Sequence, residues 1–130
     1  MSEYPGDFWH FARAQVVTAA RVAGIDAIDA PFPAYKDLES YRRAATHGSL
    51  LGFDGKWAIH PDQVPIANDV FSPTASEVDE ARRSIEEYRA AEAQGVGAIG
   101  SDGRLVDAAH MRLAANTLHK AALADTDPDG

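Results

Sequence analysis

Two positions offer chemistry through where they fall. Asp29 closes the apolar run Ile25-Asp26-Ala27-Ile28-Asp29 two residues before Pro31, and His60 closes Gly55-Lys56-Trp57-Ala58-Ile59-His60 directly before Pro61. A carboxylate or imidazole at the C-terminal end of a parallel strand stands on the edge that carries the chemistry in parallel barrels. Proline cannot donate to a ladder and restricts the residue before it, so Pro31 and Pro61 are expected to stop the strands and shape the pocket wall. Each polar group also has a plainer reading: Asp29 bonding loop amides, and His60 tying down a rim loop, the role preferred for it. A further acid, Asp107, follows a glycine-rich turn and precedes Ala108-Ala109. This is an ordinary helix N-cap position, and a geometry that can aim a carboxylate outward.

Other groupings give less. His10, His47, His110 and His119 show no i, i+4 ligand spacing, so no histidine metal site is expected. Asp26 and Asp29, three apart on a strand, point to opposite faces and form no carboxylate pair. Gly100-Ser101-Asp102-Gly103 lacks the lysine and upstream strand of a phosphate loop and reads as a turn. Trp9 and Trp57 read as core or subunit contacts, because the cationic groove of a base-stacking platform is missing.

The elements that must position these groups follow from periodicity. Asp7 reads as the N-cap of a first helix with Phe8, Phe11, Ala12, Ala19 and Val22 at helical spacing, ending at Gly24. The first strand candidate follows, then a helix from about Asp37 with Leu38, Tyr41, Ala45 and Leu51 inward and a weak spot at His47-Gly48-Ser49. The second strand candidate leads to a short helix over Ala67–Val70. Thr74-Ala75-Ser76-Glu77 has the form of a capping box before a helix with Val78, Ala81, Ile85 and Tyr88 on one face. Ala98-Ile99 and Arg104-Leu105-Val106 form a hairpin candidate with Asp102-Gly103 at its turn. Asp107 opens a last helix with Ala108, Met111, Ala115, Leu118 and Ala122 in line. The tail from Asp125 to Gly130 has nothing to bury and is expected to be frayed. The domain expectation is 1–71 for barrel-type βα units, 72–124 for a helix-hairpin-helix extension and 125–130 for a disordered tail.

With 130 residues and 45% hydrophobic composition, the chain has material for one domain's core. Twelve Lys and Arg against twenty Asp and Glu give a formal charge of −8, a field that disfavours nucleic acid and anionic membranes as partners. Without cysteine there is no disulfide, thiolate metal site or cysteine nucleophile. The start is neither basic nor apolar, and a cytoplasmic location is the default expectation.

Helix, strand, helix, strand is the grammar of parallel α/β folds, yet two parallel strands cannot close a barrel and leave both edges unpaired. A complete barrel takes about 250 residues and eight βα units. The pattern therefore reads as part of a larger assembly: a truncated piece, one subunit of a split protein, or a remnant rearranged into a small self-sufficient fold.

Five blocks in order carry a resemblance: Tyr4-Pro5-Gly6-Asp7-Phe8-Trp9-His10, Gly24-Ile25-Asp26-Ala27-Ile28-Asp29-Ala30-Pro31, Gly52-Phe53-Asp54-Gly55-Lys56-Trp57-Ala58-Ile59-His60-Pro61, Phe71-Ser72-Pro73 and Asp102-Gly103-Arg104-Leu105-Val106-Asp107-Ala108. Together they resemble the C-terminal portion of the citrate lyase beta-subunit and malyl-CoA lyase aldolases. The resemblance implies α/β architecture: the last two strands of a TIM (β/α)8 barrel with crossover helices, then a helical lid with a small hairpin. It implies a Mg2+-dependent carbon–carbon lyase acting on CoA thioesters of malyl, citramalyl or citryl type, with a small keto acid as co-substrate. Asp107 is its best match to a lid acid/base that can reach a neighbouring subunit's site, and Asp29, Pro31, His60 and Pro61 would line the thioester pocket. The family's two carboxylate metal ligands and its keto-acid arginine lie upstream of the first matched block. The resemblance thus implies a chain inactive alone, partnered by copies of itself or by an N-terminal barrel half. The alternative is a non-catalytic small oligomeric interaction protein derived from the same family.

Overall fold

The computed structural model describes residues 7–93, 95, 99–101 and 104–124. The Tyr4-Pro5-Gly6 start of the first block, the Asp102-Gly103 turn and the tail from Asp125 lie outside the described residues. The chain divides into two compact units, Met1–Phe71 and Ser72–Gly130.

Unit 1 runs α1 (His10–Ala23), β1 (Ile28–Asp29), α2 (Leu38–Leu51), β2 (Gly55–Lys56), a 3-10 turn (Pro61–Gln63) and α3 (Val64–Phe71). The two strands are parallel, with Ile28 opposite Gly55 and Asp29 opposite Lys56. They are shorter than the apolar runs that announced them. The backbone bond from Trp57 N to Asp29 O, 3.1 Å, lies just past the last register pair. The second strand thus ends at Lys56, not His60, and Pro61 stops no strand: it opens the 3-10 turn, where its missing N–H costs nothing.

The first helix departs from expectation at both its start and its face. Asp7 is not its N-cap: Trp9 holds that position without a side-chain bond, while the Asp7 carboxylate accepts from Trp9 N at 2.9 Å in the preceding turn. Val17 and Ala20 are the buried residues of α1. The anticipated stripe faces outward, with Phe8 76%, Phe11 71% and Val22 87% exposed and Ala12 and Ala19 exposed as well. The helix is apolar on two sides, and periodicity cannot say which one its own unit covers. Gly24 closes the helix at φ 68°, a left-handed conformation suited to glycine.

Val17, Ala20, Ala27 and Phe53 form the core, with Leu51 and Phe71 packed against it. Asp37 caps α2 by accepting from Ser40 N, and Tyr41, Ala45 and Gly48 form that helix's buried line. Gly48 is a point of close approach rather than a weak spot, since a Cβ there would lie 3.0 Å from Asp29 Oδ2.

Unit 2 comprises α4 (Ala75–Glu92), an antiparallel pair β3 (Ile99–Ser101) and β4 (Arg104–Val106), and α5 (Ala108–Ala124). A capping box starts α4: Glu77 N donates to Thr74 Oγ1 at 3.2 Å, and Thr74 N donates to the Glu77 carboxylate at 2.7 Å. Ala81 is buried, with Val78, Ile85 and Tyr88 half-buried on the same face. On α5 the inward line runs through Met111, Ala114, Leu118 and Ala121, whereas Ala115 and Ala122, expected inside, are exposed. In a run so rich in alanine, two neighbouring faces are equally apolar, and the packed partner selects between them.

Candidate functional site

A buried charge cluster organises unit 1. Asp29, 3% exposed, accepts from Arg13 Nε (3.2 Å) at Oδ1 and from Arg13 Nη2 (2.9 Å) and Lys56 Nζ (2.8 Å) at Oδ2. Lys56 also donates to Ala30 O at 2.7 Å. Its side chain is only 4% exposed, so the two cations enclose the carboxylate out of bulk water. Buried charge survives when paired and hydrogen-bonded in this way. Arg13 comes from α1, Asp29 from β1 and Lys56 from β2, and Arg13 Nη1 extends the cluster to Asp7 Oδ2 at 3.0 Å. The Trp9 backbone N–H, with help from Arg13 and His47, holds the Asp7 carboxyl below its ordinary range. Burial, with Asp29 nearby, pushes the Tyr41 phenol up.

Two cavities flank this cluster. One, about 430 Å3, is lined by Asp7, Trp9, Arg13, Asp29, Ala30, Ala44 and Lys56. The other, about 330 Å3, is lined by Arg13, Asp29, Pro31 and the apolar Val16, Ile28, Phe53 and Trp57. The sequence candidates Asp29 and Pro31 therefore meet in one cavity, while His60 and Pro61 line neither. Asp29 bonds side-chain cations rather than loop amides. With both oxygens engaged it is arranged to fix Arg13 and Lys56.

His60 serves its loop: its Nδ1 accepts from Asp62 N at 3.3 Å, and its ring stacks on Tyr35 at 5.0 Å. Beside it, fully buried Gln63 accepts from Ile59 N (2.8 Å) and donates to Phe32 O (3.4 Å), joining the loops that follow the two strands. In unit 2, Asp107 caps α5 through His110 N (3.2 Å), and its Oδ1 lies 3.0 Å from His110 Nδ1. The pair is about half-exposed.

Sequence reasoning missed Arg13, Lys56 and Gln63. Only Lys56 had a readable signal, an opposite charge directly across from Asp29 once the strands are set in register. Asp7, His10 and His47 bring ligand atoms within 4.8 Å of one another, a grouping that sequence spacing hides because His47 comes from α2.

Comparisons with known proteins place relatives around this geometry. Residues 2–61 match the HpcH/HpaI aldolase/citrate lyase family model. An L-malyl-CoA/beta-methylmalyl-CoA lyase of Rhodobacter capsulatus is 44% identical over 118 residues, covering 91% of this chain and 37% of that protein. A (3S)-malyl-CoA thioesterase of Cereibacter sphaeroides is 43% identical over 79% of this chain and 36% of its own length. The chain thus spans a little over a third of the curated relatives it matches. Among solved structures, Mycobacterium tuberculosis CitE in complex with magnesium, acetoacetate and coenzyme A superposes with a TM-score of 0.73 at 28% identity, covering 89% of this chain and 42% of that one.

Magnesium favours a hard, all-oxygen octahedral shell. Among the described residues the three-ligand grouping has one carboxylate and two imidazoles, and Asp29 is already occupied by two cations. The residues described here do not fit a magnesium centre.

Proposed function

We propose that this chain, whose residues 2–61 match the HpcH/HpaI aldolase/citrate lyase family model, forms part of a carbon–carbon lyase acting on malyl-type CoA thioesters, completed by residues outside this stretch. The observation that carries this reading is an unfinished surface. β1 and β2 pair only with each other among the described residues, and beside them Ile28 is 49%, Trp57 61% and Ile59 52% exposed. Burying such side chains is worth about 1.5–3 kcal/mol each, a standing incentive for further strands and helices to pack there. In the completed unit, Asp29 and Pro31 border the thioester pocket, with Arg13 and Lys56 holding its floor, while His60, Pro61 and Gln63 shape the adjoining loop. Asp107 is the acid/base of the lid, with His110 as its exchange partner for protons.

The relatives share malyl-CoA and differ in what they do to it, so the products decide between carbon–carbon cleavage and thioester hydrolysis. The test pairs the purified chain with an N-terminal segment of a malyl-CoA lyase relative, verifies the complex by light scattering and supplies malyl-CoA with Mg2+. Release of glyoxylate and acetyl-CoA is expected, and Asp107→Asn should lower the rate by roughly 10²–10⁴-fold, the usual worth of a positioned acid/base. Malate and free CoA would move the assignment to the thioesterase branch. A verified complex without turnover would sink both and leave the oligomeric, non-catalytic alternative.

A further inference from the structure

We infer that Asp7, His10 and His47 form a binding site for one borderline divalent transition ion of the zinc, cobalt or nickel class, separate from any magnesium chemistry. The inference does not rest on the lyase reading. The two imidazoles lie nearly parallel, 17° apart with ring centres at 5.9 Å, and all three ligand atoms fall within 4.8 Å of one another. Two imidazoles and one carboxylate suit this class of ion, and half-exposure leaves room for water to complete its shell.

Two features prepare the ligands. Trp9 N pins one Asp7 oxygen at 2.9 Å, fixing the carboxylate at the mouth of the cluster. Arg13 Nη1 lies 3.2 Å from His47 Nδ1. A guanidinium only donates, so Nδ1 presents its lone pair toward the cluster and the ring proton sits on Nε2. An ion that takes that lone pair displaces Nη1 from His47 Nδ1 and from Asp7 Oδ2, 3.0 Å away. The guanidinium is a resident cation competing with the ion, which makes the site selective for ions that bind nitrogen well.

Visible absorption follows Co2+ titrated into the full 130-residue chain. One ion per chain is expected, displaced by Zn2+ but not by excess Mg2+, with His10→Asn or His47→Asn weakening binding at least roughly tenfold, as loss of even an outer-shell partner commonly does. A chain carrying both His110→Asn and His119→Asn should bind like the parent. Equal binding by the parent and the His10→Asn chain, or displacement by Mg2+, would overturn the assignment. Should His47→Asn fail to fold, His10→Asn carries the test from an exposed position. Imidazole NMR shifts in the unmodified chain then give a second readout: changes confined to His10 and His47 support the site, and changes centred on other histidines refute it.

Discussion

The two units of this chain are stabilised in different ways. Unit 1 depends on polar groups that meet across long stretches of sequence: Arg13 with Asp29, Asp29 with Lys56, Gln63 with Phe32. Unit 2 starts its helices with bonds between near neighbours, Thr74 with Glu77 and Asp107 with His110, and closes a thin seam around the small residues Ala81 and Ala114. A unit tied by distant charges fails sharply when one charge is removed, whereas a unit of capped helices loosens by degrees. Both tryptophans, Trp9 and Trp57, lie in unit 1, so tryptophan fluorescence follows that unit and far-UV circular dichroism weights the helices of both.

The largest effect is expected from Asp29→Ala, which leaves Arg13 and Lys56 facing each other without their anion. It should destabilise unit 1 by about 3–5 kcal/mol, read as a lower fluorescence midpoint in urea. Loss of all helical signal at that same midpoint would erase the distinction between the units. Next comes Gly48→Ala. Alanine favours a helix by about 1 kcal/mol over glycine, but its methyl would press on Asp29 Oδ2 at 3.0 Å, and overpacking costs about 1–3 kcal/mol. A net loss of stability is expected in the same assay, and a gain would mean that the cluster yields easily.

In unit 2, Thr74→Ala should cost about 1 kcal/mol and reduce helical signal without moving the fluorescence midpoint. The smallest effect is a pH response. Bonds from Thr74 hold the Glu77 carboxyl below its ordinary range. Its contribution is therefore complete above the unfolded-state range and disappears as pH falls through the lower native value. Amide protection at the start of α4, referred to the intrinsic exchange rate at each pH, should fall on acidification, and Thr74→Ala should flatten that dependence.

The same contrast explains what could be read from sequence. The Thr74–Glu77 box, the helix start near Asp37 and the Gly24 stop depend on residues at most four apart, and all three stand in the structure. Asp7 defeated the same logic because a competing turn at Trp9 takes its carboxylate. The outward stripe of α1, and Ala115 on α5, show periodicity finding apolar faces without saying what covers them. Arg13 and His47 were illegible for a simpler reason: Arg13 meets Asp29 across sixteen residues and His47 meets Arg13 across thirty-four. Candidate strand ends led to Asp29 and Pro31, but not to the cations that determine what Asp29 can do.

Arg13 reaches Asp7, Asp29 and His47 with one planar group and lies 5.6 Å from the centre of the Phe53 ring. A lysine would conserve the charge and lose the span, since a single ammonium cannot fork across these directions at once. The guanidinium behaves as a rigid strut between the turn at Asp7 and the end of β1. A disturbance at the Asp7 end is thereby transmitted to the far side, where Lys56 leans on the same carboxylate.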